Sequence, residues 1–252
     1  MNGKPRIGAL VFGACCLVGG AFGQEAEQDR GWKLGAGLSY ISTSGNSDTS
    51  SWGLAVDWER EFALWNVKSG FSALQTTENN ETVAEKHRVY RKGDREISNN
   101  LALTAGLRGE RNRFAGIDLH STFNLGVAWK VVESRAWKFE TSGSATWNHE
   151  NQVEGGADEN NVGLLLSTLS QVAISESAST TQALLVEPSI EDSDDYRVEL
   201  AVSLEASLTQ VLALKIGFNS RYDNAPVLGF EKTDTETTAS LVVRTARGSL
   251  GR

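Results

Sequence analysis

The feature that most constrains this chain is an alternation of period two that starts at Trp32 and returns until Val243. Trp32, Leu34, Ala36, Leu38 and Tyr40 are apolar, and Lys33, Gly35, Gly37 and Ser39 lie between them. Successive side chains of a strand point to opposite faces, so each such stretch is a strand with two unlike faces. The turn-favouring pair Gly45-Asn46 follows, and the pattern resumes with Trp52, Leu54, Val56 and Trp58, which predicts a first hairpin. It recurs over 65–73, 101–108, 122–130, 137–148, 198–208, 212–219 and 239–244. Three further stretches are weaker. Residues 82–92 hold few apolar side chains, whereas 162–174 and 181–188 carry leucines on both faces. The serine and threonine content of 162–174 favours a strand over a short buried helix. Together these give about twelve strands, hence an all-β fold.

The second face decides between a soluble β-sandwich and a membrane barrel. In a sandwich the outward face meets water and carries long charged side chains. Here it is largely Gly, Ser, Ala and Thr, which suit the concave interior of a barrel, while the Trp-, Tyr- and Phe-bearing face suits lipid and its aromatic girdles. Connection lengths point the same way. Polar connections at 42–49, 77–81, 110–118, 150–161, 187–195 and 223–232 alternate with short ones such as 60–62, 133–136, 175–179 and 209–211. Alternating long and short links are those of a closed antiparallel up-and-down transmembrane β-barrel with both termini on the short-turn side. The competing reading is a soluble periplasmic sandwich or barrel that binds a small ligand.

Parity assigns the interior. Lys33, Lys68, Arg108, Lys130, Lys138, Lys215, Arg221 and Arg244 are expected to face inward, together with Asp57, Glu140, Glu199, Glu205 and Glu236. Both signs are present, with a modest basic excess. A twelve-strand barrel is wider than the eight-strand kind that side chains just fill, and narrower than the porins that leave an aqueous channel. The expectation is therefore a largely self-neutralised lumen with, at most, a narrow, weakly anion-preferring path. Interior glycines at 35, 53, 70, 106, 126 and 217 are expected to leave room beside the charges.

Ahead of the barrel, Lys4 and Arg6 precede an apolar stretch over 7–18 and the small-residue site Ala21-Phe22-Gly23, the order of an export signal. Cleavage after Gly23 leaves Gln24 as the mature N-terminus. Both of the chain's 2 cysteines, Cys15 and Cys16, lie inside that signal, and Phe12-Gly13-Ala14 makes a poor lipidation box ahead of them. A mature chain without thiols relies on packing and closed strand pairing rather than on disulfides. The expected organisation is a signal peptide at 1–23, a short periplasmic segment at 24–31, the barrel at 32–244 and a basic tail at 245–252. The 25 glycines against 3 prolines suit many strands with tight turns. A net charge of −8 with no basic patch excludes nucleic acid as an expected partner.

No residue stands out as catalytic, and no cofactor or metal ligand set is expected. His87, His120 and His149 lack a second ligand at helical or hairpin spacing. His120 and Ser121 are chain neighbours, so on a strand they point to opposite faces and do not touch. The acidic stretches Glu150, Glu154, Asp158, Glu159 and Glu187, Glu191, Asp192, Asp194, Asp195 offer carboxylates for weak divalent-cation binding, but lack the spacing and glycine of a calcium loop. A solvated acidic loop is the plainer reading.

Four features in order resemble a known family. They are Gly45-Asn46-Ser47 in the first hairpin, the glycine-rich strand around Gly126, the 222–226 stretch ending at Pro226, and Lys232-Thr233-Asp234-Thr235 before the last strand. Spanning about 31–244, they resemble bacterial outer-membrane proteins called salt-induced proteins, grouped as a domain of unknown function. The resemblance implies an outer-membrane β-barrel with no assigned substrate or enzymatic activity. Its partners would be outer-membrane lipid, lipopolysaccharide and the outer-membrane assembly machinery. One departure is the end of the chain, which runs from Val243 through a basic stretch instead of finishing on an aromatic residue.

Overall fold

The computed structural model describes residues 31–43, 49–79, 81–152 and 158–247. The expected export signal, both cysteines, Gly45, Asn46, Ser47 and Glu154 lie outside those residues. Twelve strands follow one another: β1 (Gly31–Thr43), β2 (Thr49–Glu61), β3 (Trp65–Glu78), β4 (Glu81–Glu96), β5 (Leu101–Asn112), β6 (Ile117–Glu133), β7 (Trp137–Gln152), β8 (Asp158–Ala173), β9 (Ala178–Pro188), β10 (Tyr196–Ser207), β11 (Leu212–Asp223) and β12 (Thr233–Arg247). Each pairs antiparallel with its neighbours in sequence, and β1 pairs with β12, so the sheet is one closed barrel. Closure gives every strand a hydrogen-bonded neighbour on both sides. It also removes the sandwich alternative, and the 162–174 stretch is strand, not helix.

Two of the expected boundaries move. Gly31 belongs to β1, and β12 runs on to Arg247, which pairs with Trp32, so 245–247 are barrel wall rather than tail. The larger difference concerns the connections. At one end, here the turn end, the links are 62–64, 97–100, 134–136, 174–177 and 208–211. At the other, the loop end, they shrink to 44–48, 79–80, 113–116, 153–157, 189–195 and 224–232. Polar residues expected in loops, among them Glu110, Glu150, Glu187 and Asp223, are instead strand residues.

The two faces separate as the alternation requires. Leu103, Leu107, Leu125, Val127, Leu214 and Ile216 are exposed on the outside. All 7 tryptophans lie on outward positions. Trp32, Trp58, Trp65, Trp129 and Trp137 ring the turn end, and Tyr40, Trp52, Trp147, Tyr196 and Tyr222 stand toward the loop end. Apolar side chains between two aromatic rings are the arrangement of a barrel solvated by lipid. The buried side chains are mostly polar: Glu110, Asn112, His120, Thr122, Glu150 and Arg221 all point inward.

Interior glycines serve two purposes. A methyl group at Gly35 would meet open space. One at Gly70 would stand 2.2 Å from the Tyr90 ring, and one at Gly126 would stand 2.1 Å from the Gly143 carbonyl oxygen. Gly70 therefore seats Tyr90, and Gly126 lets β6 and β7 approach, so these two do not leave the room that their small size implies.

Candidate functional site

The site is the lumen. Register places Lys33, Asp57, Lys68, Arg108, Lys130, Glu140, Glu199, Glu205, Lys215, Arg221, Glu236 and Arg244 on inward positions, as parity requires. Lys138 shares that parity but sits exposed near the turn-end rim. Arg244 is also more than half exposed, where it pairs with Glu205. Of the family stretches, Gly126 is mid-strand in β6, Pro226 lies in the 224–232 connection, and Thr233 and Asp234 open β12.

The contacts that matter most bring in two residues absent from the parity assignment, Arg88 and Glu110. Arg88 on β4 donates from Nη1 and Nη2 to both carboxylate oxygens of Glu199 on β10, at 2.9 and 3.2 Å. Arg221 on β11 donates to Glu110 on β5 at 2.6 Å. In the ring of twelve, β4 and β10 are opposite, and so are β5 and β11. Both ion pairs therefore cross the lumen at its full width. They are joined by a third contact, Arg88 Nε to Glu110 at 3.0 Å, and Asn219 adds a hydrogen bond to Glu199 at 2.9 Å. A bidentate guanidinium–carboxylate pair fixes orientation as well as charge, so the crossing is a built strut rather than a chance approach.

A second cluster lies nearer the loop end. Arg197 on β10 holds Asp223 and Glu150, each at 2.7 Å, and donates from Nη1 to His120 Nδ1 at 3.1 Å. A guanidinium only donates, so His120 Nδ1 accepts. Arg108 reaches Glu187 from β5 to β9. Two of the carboxylates expected in cation-binding loops, Glu150 and Glu187, thus neutralise arginines inside the barrel. Asp195, in the connection before β10, accepts from Asn161 at 3.2 Å. Partial burial holds its carboxyl above the usual range, with Asp223 and Glu150 adding to the effect against Arg197. Among the described residues, no group of three or more His, Cys, Asp or Glu side chains is placed to hold a metal. His87 and His149 contact Glu85 and Asn160 at 2.7 and 3.0 Å, away from the lumen.

The struts divide the interior. A cavity of about 700 Å³ runs beside them along the wall formed by β12, β1, β2 and β3, where Gly35, Gly37, Ser39, Gly53, Ala55 and Ser72 keep the wall low. Six basic side chains (Lys33, Lys68, Lys86, Arg88, Lys215 and Arg244) and three carboxylates (Asp57, Glu59 and Glu236) border it. With the carboxylates of the extended strands included, the interior as a whole loses the expected basic excess, which persists only along this cavity. Lys215 has no hydrogen-bond or ion-pair partner among the described residues. Toward the loop end a smaller cavity of about 270 Å³ continues the same path. Lys86 and Glu236 border both, bonded at 3.3 Å, and so mark the junction between the two cavities. Over the loop end the 224–232 connection brings the Phe230 ring against Gly116, where a methyl would stand 2.5 Å from Cε2.

The sequence profile of a family described as a protein of unknown function, DUF481, matches residues 36–244. The chain belongs to that family. Among curated proteins, none matches this DUF481 barrel. Among solved structures, an outer-membrane channel from Pseudomonas putida F1 is similar to it at 11% identity and a TM-score of 0.53, covering 90% of this chain and 100% of that one. The NanC porin is similar at 10% identity and a TM-score of 0.48, covering 87% and 100%. At 11% identity the likeness to the Pseudomonas putida channel concerns the barrel fold alone.

Missing from the parity assignment were Lys86, Arg88 and Lys92 on β4, and Glu110, His120, Glu150, Glu187, Arg197 and Asp223 at strand ends. A signal did exist. Counting in twos outward from each apolar stretch reaches Glu110 from Arg108 and Arg197 from Glu199.

Proposed function

We propose that this DUF481 protein is an outer-membrane β-barrel of the envelope-adaptation type that catalyses nothing and conducts small solutes only through a narrow, weakly anion-preferring path. The observation that carries this reading is the pair of struts, Arg88 to Glu199 and Arg221 to Glu110, across the full width of the lumen. They replace an open pore by an eccentric passage along the β12–β3 wall. The basic excess bordering that passage supports the anion preference. The outward apolar band between aromatic rings supports residence in the membrane. Export with cleavage after Gly23, and turns facing the periplasm, belong to the same reading. Its resemblance to salt-induced barrels adds that the amount in the envelope rises with external salt, which immunoblotting of envelopes measures.

Two assays test the proposal. Envelope protein should require detergent for extraction; recovery in the soluble periplasm would overturn the membrane reading. Liposomes holding refolded protein should swell slowly in small anionic solutes and not at all in disaccharides, and rapid swelling in disaccharides would contradict a strutted lumen.

A further inference from the structure

The basic side chains that border the larger cavity are matched by carboxylates, with one exception. Lys33 holds Glu59 and Glu61 at 3.2 and 3.1 Å, and Lys68 shares Glu59 at 3.7 Å. Lys86 holds Glu236 at 3.3 Å, Arg88 holds Glu199 and Glu110, and Arg244 holds Glu205. Lys215 is the exception, with neither a hydrogen bond nor an ion pair among the described residues. Its register partner on β10 is that same Glu205, so two cations face one carboxylate and one positive charge is left over. The remaining acid on the cavity wall, Asp57, lies three strands away on β2 and accepts from the Tyr90 hydroxyl at 3.0 Å.

Two hydroxyls stand beside it. Opposite Lys215 in the β11–β12 ladder is Ser240, and the next inward pair along the ladder is Gly217 with Thr238. Directly opposite side chains on one face have Cβ atoms about 4.5–5.5 Å apart and diagonal ones lie about 7–8 Å apart, a span that a lysine covers. Gly217 leaves its side of the pair empty: the Thr238 hydroxyl lies 3.0 Å from where a methyl at Gly217 would stand, so it leans toward the strand that carries Lys215. Neither hydroxyl has a hydrogen-bond partner among the described residues, and all three side chains border the same cavity of about 700 Å³. An ammonium without a counter-charge, walled by protein of low dielectric, draws an anion, and both hydroxyls are able to donate to it. A carboxylate offers two accepting oxygens, one for the ammonium and one for the hydroxyls, and its single charge equals the one left over. Chloride has no second accepting atom, and hydrogen phosphate brings a second charge that the paired cations do not answer.

We infer that Lys215, Ser240 and Thr238 form a binding site, inside the eccentric passage, for the carboxylate of a small organic monoanion. The inference deepens the anion preference proposed above and rests on that reading's passage being open to solutes.

Saturation-transfer NMR on the full mature chain, refolded in dodecyl maltoside with acetate as the probe, tests it. Magnetisation should pass from the protein to the acetate methyl, and formate should compete where an equal concentration of chloride does not. Lys215→Gln should weaken acetate binding about tenfold, the loss expected from one charge-assisted contact, and Lys215→Arg should restore part of it. Ser240→Ala combined with Thr238→Val should weaken it about fivefold with the lysine still in place. Lys138→Gln, which removes the same charge at the exposed rim, should change nothing. No transfer to acetate, equal competition by chloride, or binding unaffected by Lys215→Gln in a barrel with wild-type circular dichroism would overturn the site and leave the path to stand on its swelling assay. Acetate binding that is lost in Lys215→Gln, together with swelling that shows no preference for anions, would uphold the site and overturn the preference in transport alone.

Discussion

Glu110 sets the terms at the level of single residues. Its carboxylate is almost fully buried and accepts from two guanidinium groups, Arg88 at 3.0 Å and Arg221 at 2.6 Å. Taking charges out of water is unfavourable, and the pairs offset that cost only while every partner is present. Glu110→Gln leaves Arg221 without its counter-charge and should destabilise the barrel by about 3 kcal/mol, read from urea unfolding in detergent. Lys33 makes ion pairs of ordinary length with Glu59 and Glu61, yet it is 41% exposed in its side chain. Lys33→Gln should therefore change stability by less than about 1 kcal/mol. If the two substitutions cost the same, the strut is not a buried network. Gly126 gives a purely steric counterpart. Gly126→Ala places a methyl on the Gly143 carbonyl and should cost about 1–3 kcal/mol, whereas Gly35→Ala, facing open space, should be tolerated.

At the level of elements, β11 is the cleanest test of the lipid face. Leu214 and Ile216 point outward between the aromatic rings, and Leu214→Arg should cost about 2–4 kcal/mol in a bilayer. Arg at Asn160, an exposed position near the loop end, should be accepted; equal tolerance at both sites would mean that the outward face is misassigned. Strands such as β11 were legible because every outward residue from Leu212 to Phe218 is apolar and every inward one is small or polar. β4 was not, because its outward face carries Glu85, His87, Arg91 and Arg95, which erases the period of two. The strand ends escaped for a related reason. Beyond the aromatic rings the outer face meets water, so both faces turn polar while the hydrogen-bonded ladder continues. Glu150, Glu187 and Asp223 therefore read as loop, although their backbones are paired and their carboxylates meet arginines on the inner face of the barrel. Glu199 and Arg221 stand on inward positions, but no sequence signal links them to their partners on β4 and β5. Contacts between opposite strands of a ring depend on its closure, which no local period encodes.

For the molecule as a whole, strand number and interior charge act together. Twelve strands enclose more space than side chains of ordinary length fill, and arginine and glutamate are long enough to meet across it. The struts then displace the open space to the β12–β3 wall, where glycine, serine and alanine leave a passage and Lys86 with Glu236 interrupts it. The paired double substitution Lys86→Ser with Glu236→Ser removes both charges together and leaves neither group unpaired, so it should widen the passage without unfolding the barrel. Unit conductance of the refolded protein in a planar bilayer under a potassium chloride gradient measures this directly. The wild type should show a conductance far below that of a porin, with a reversal potential of the sign for a slight chloride preference, and the double variant should conduct several times more. A porin-sized conductance, a clear cation preference, or no change on removing Lys86 and Glu236 would contradict the strutted lumen and its eccentric path.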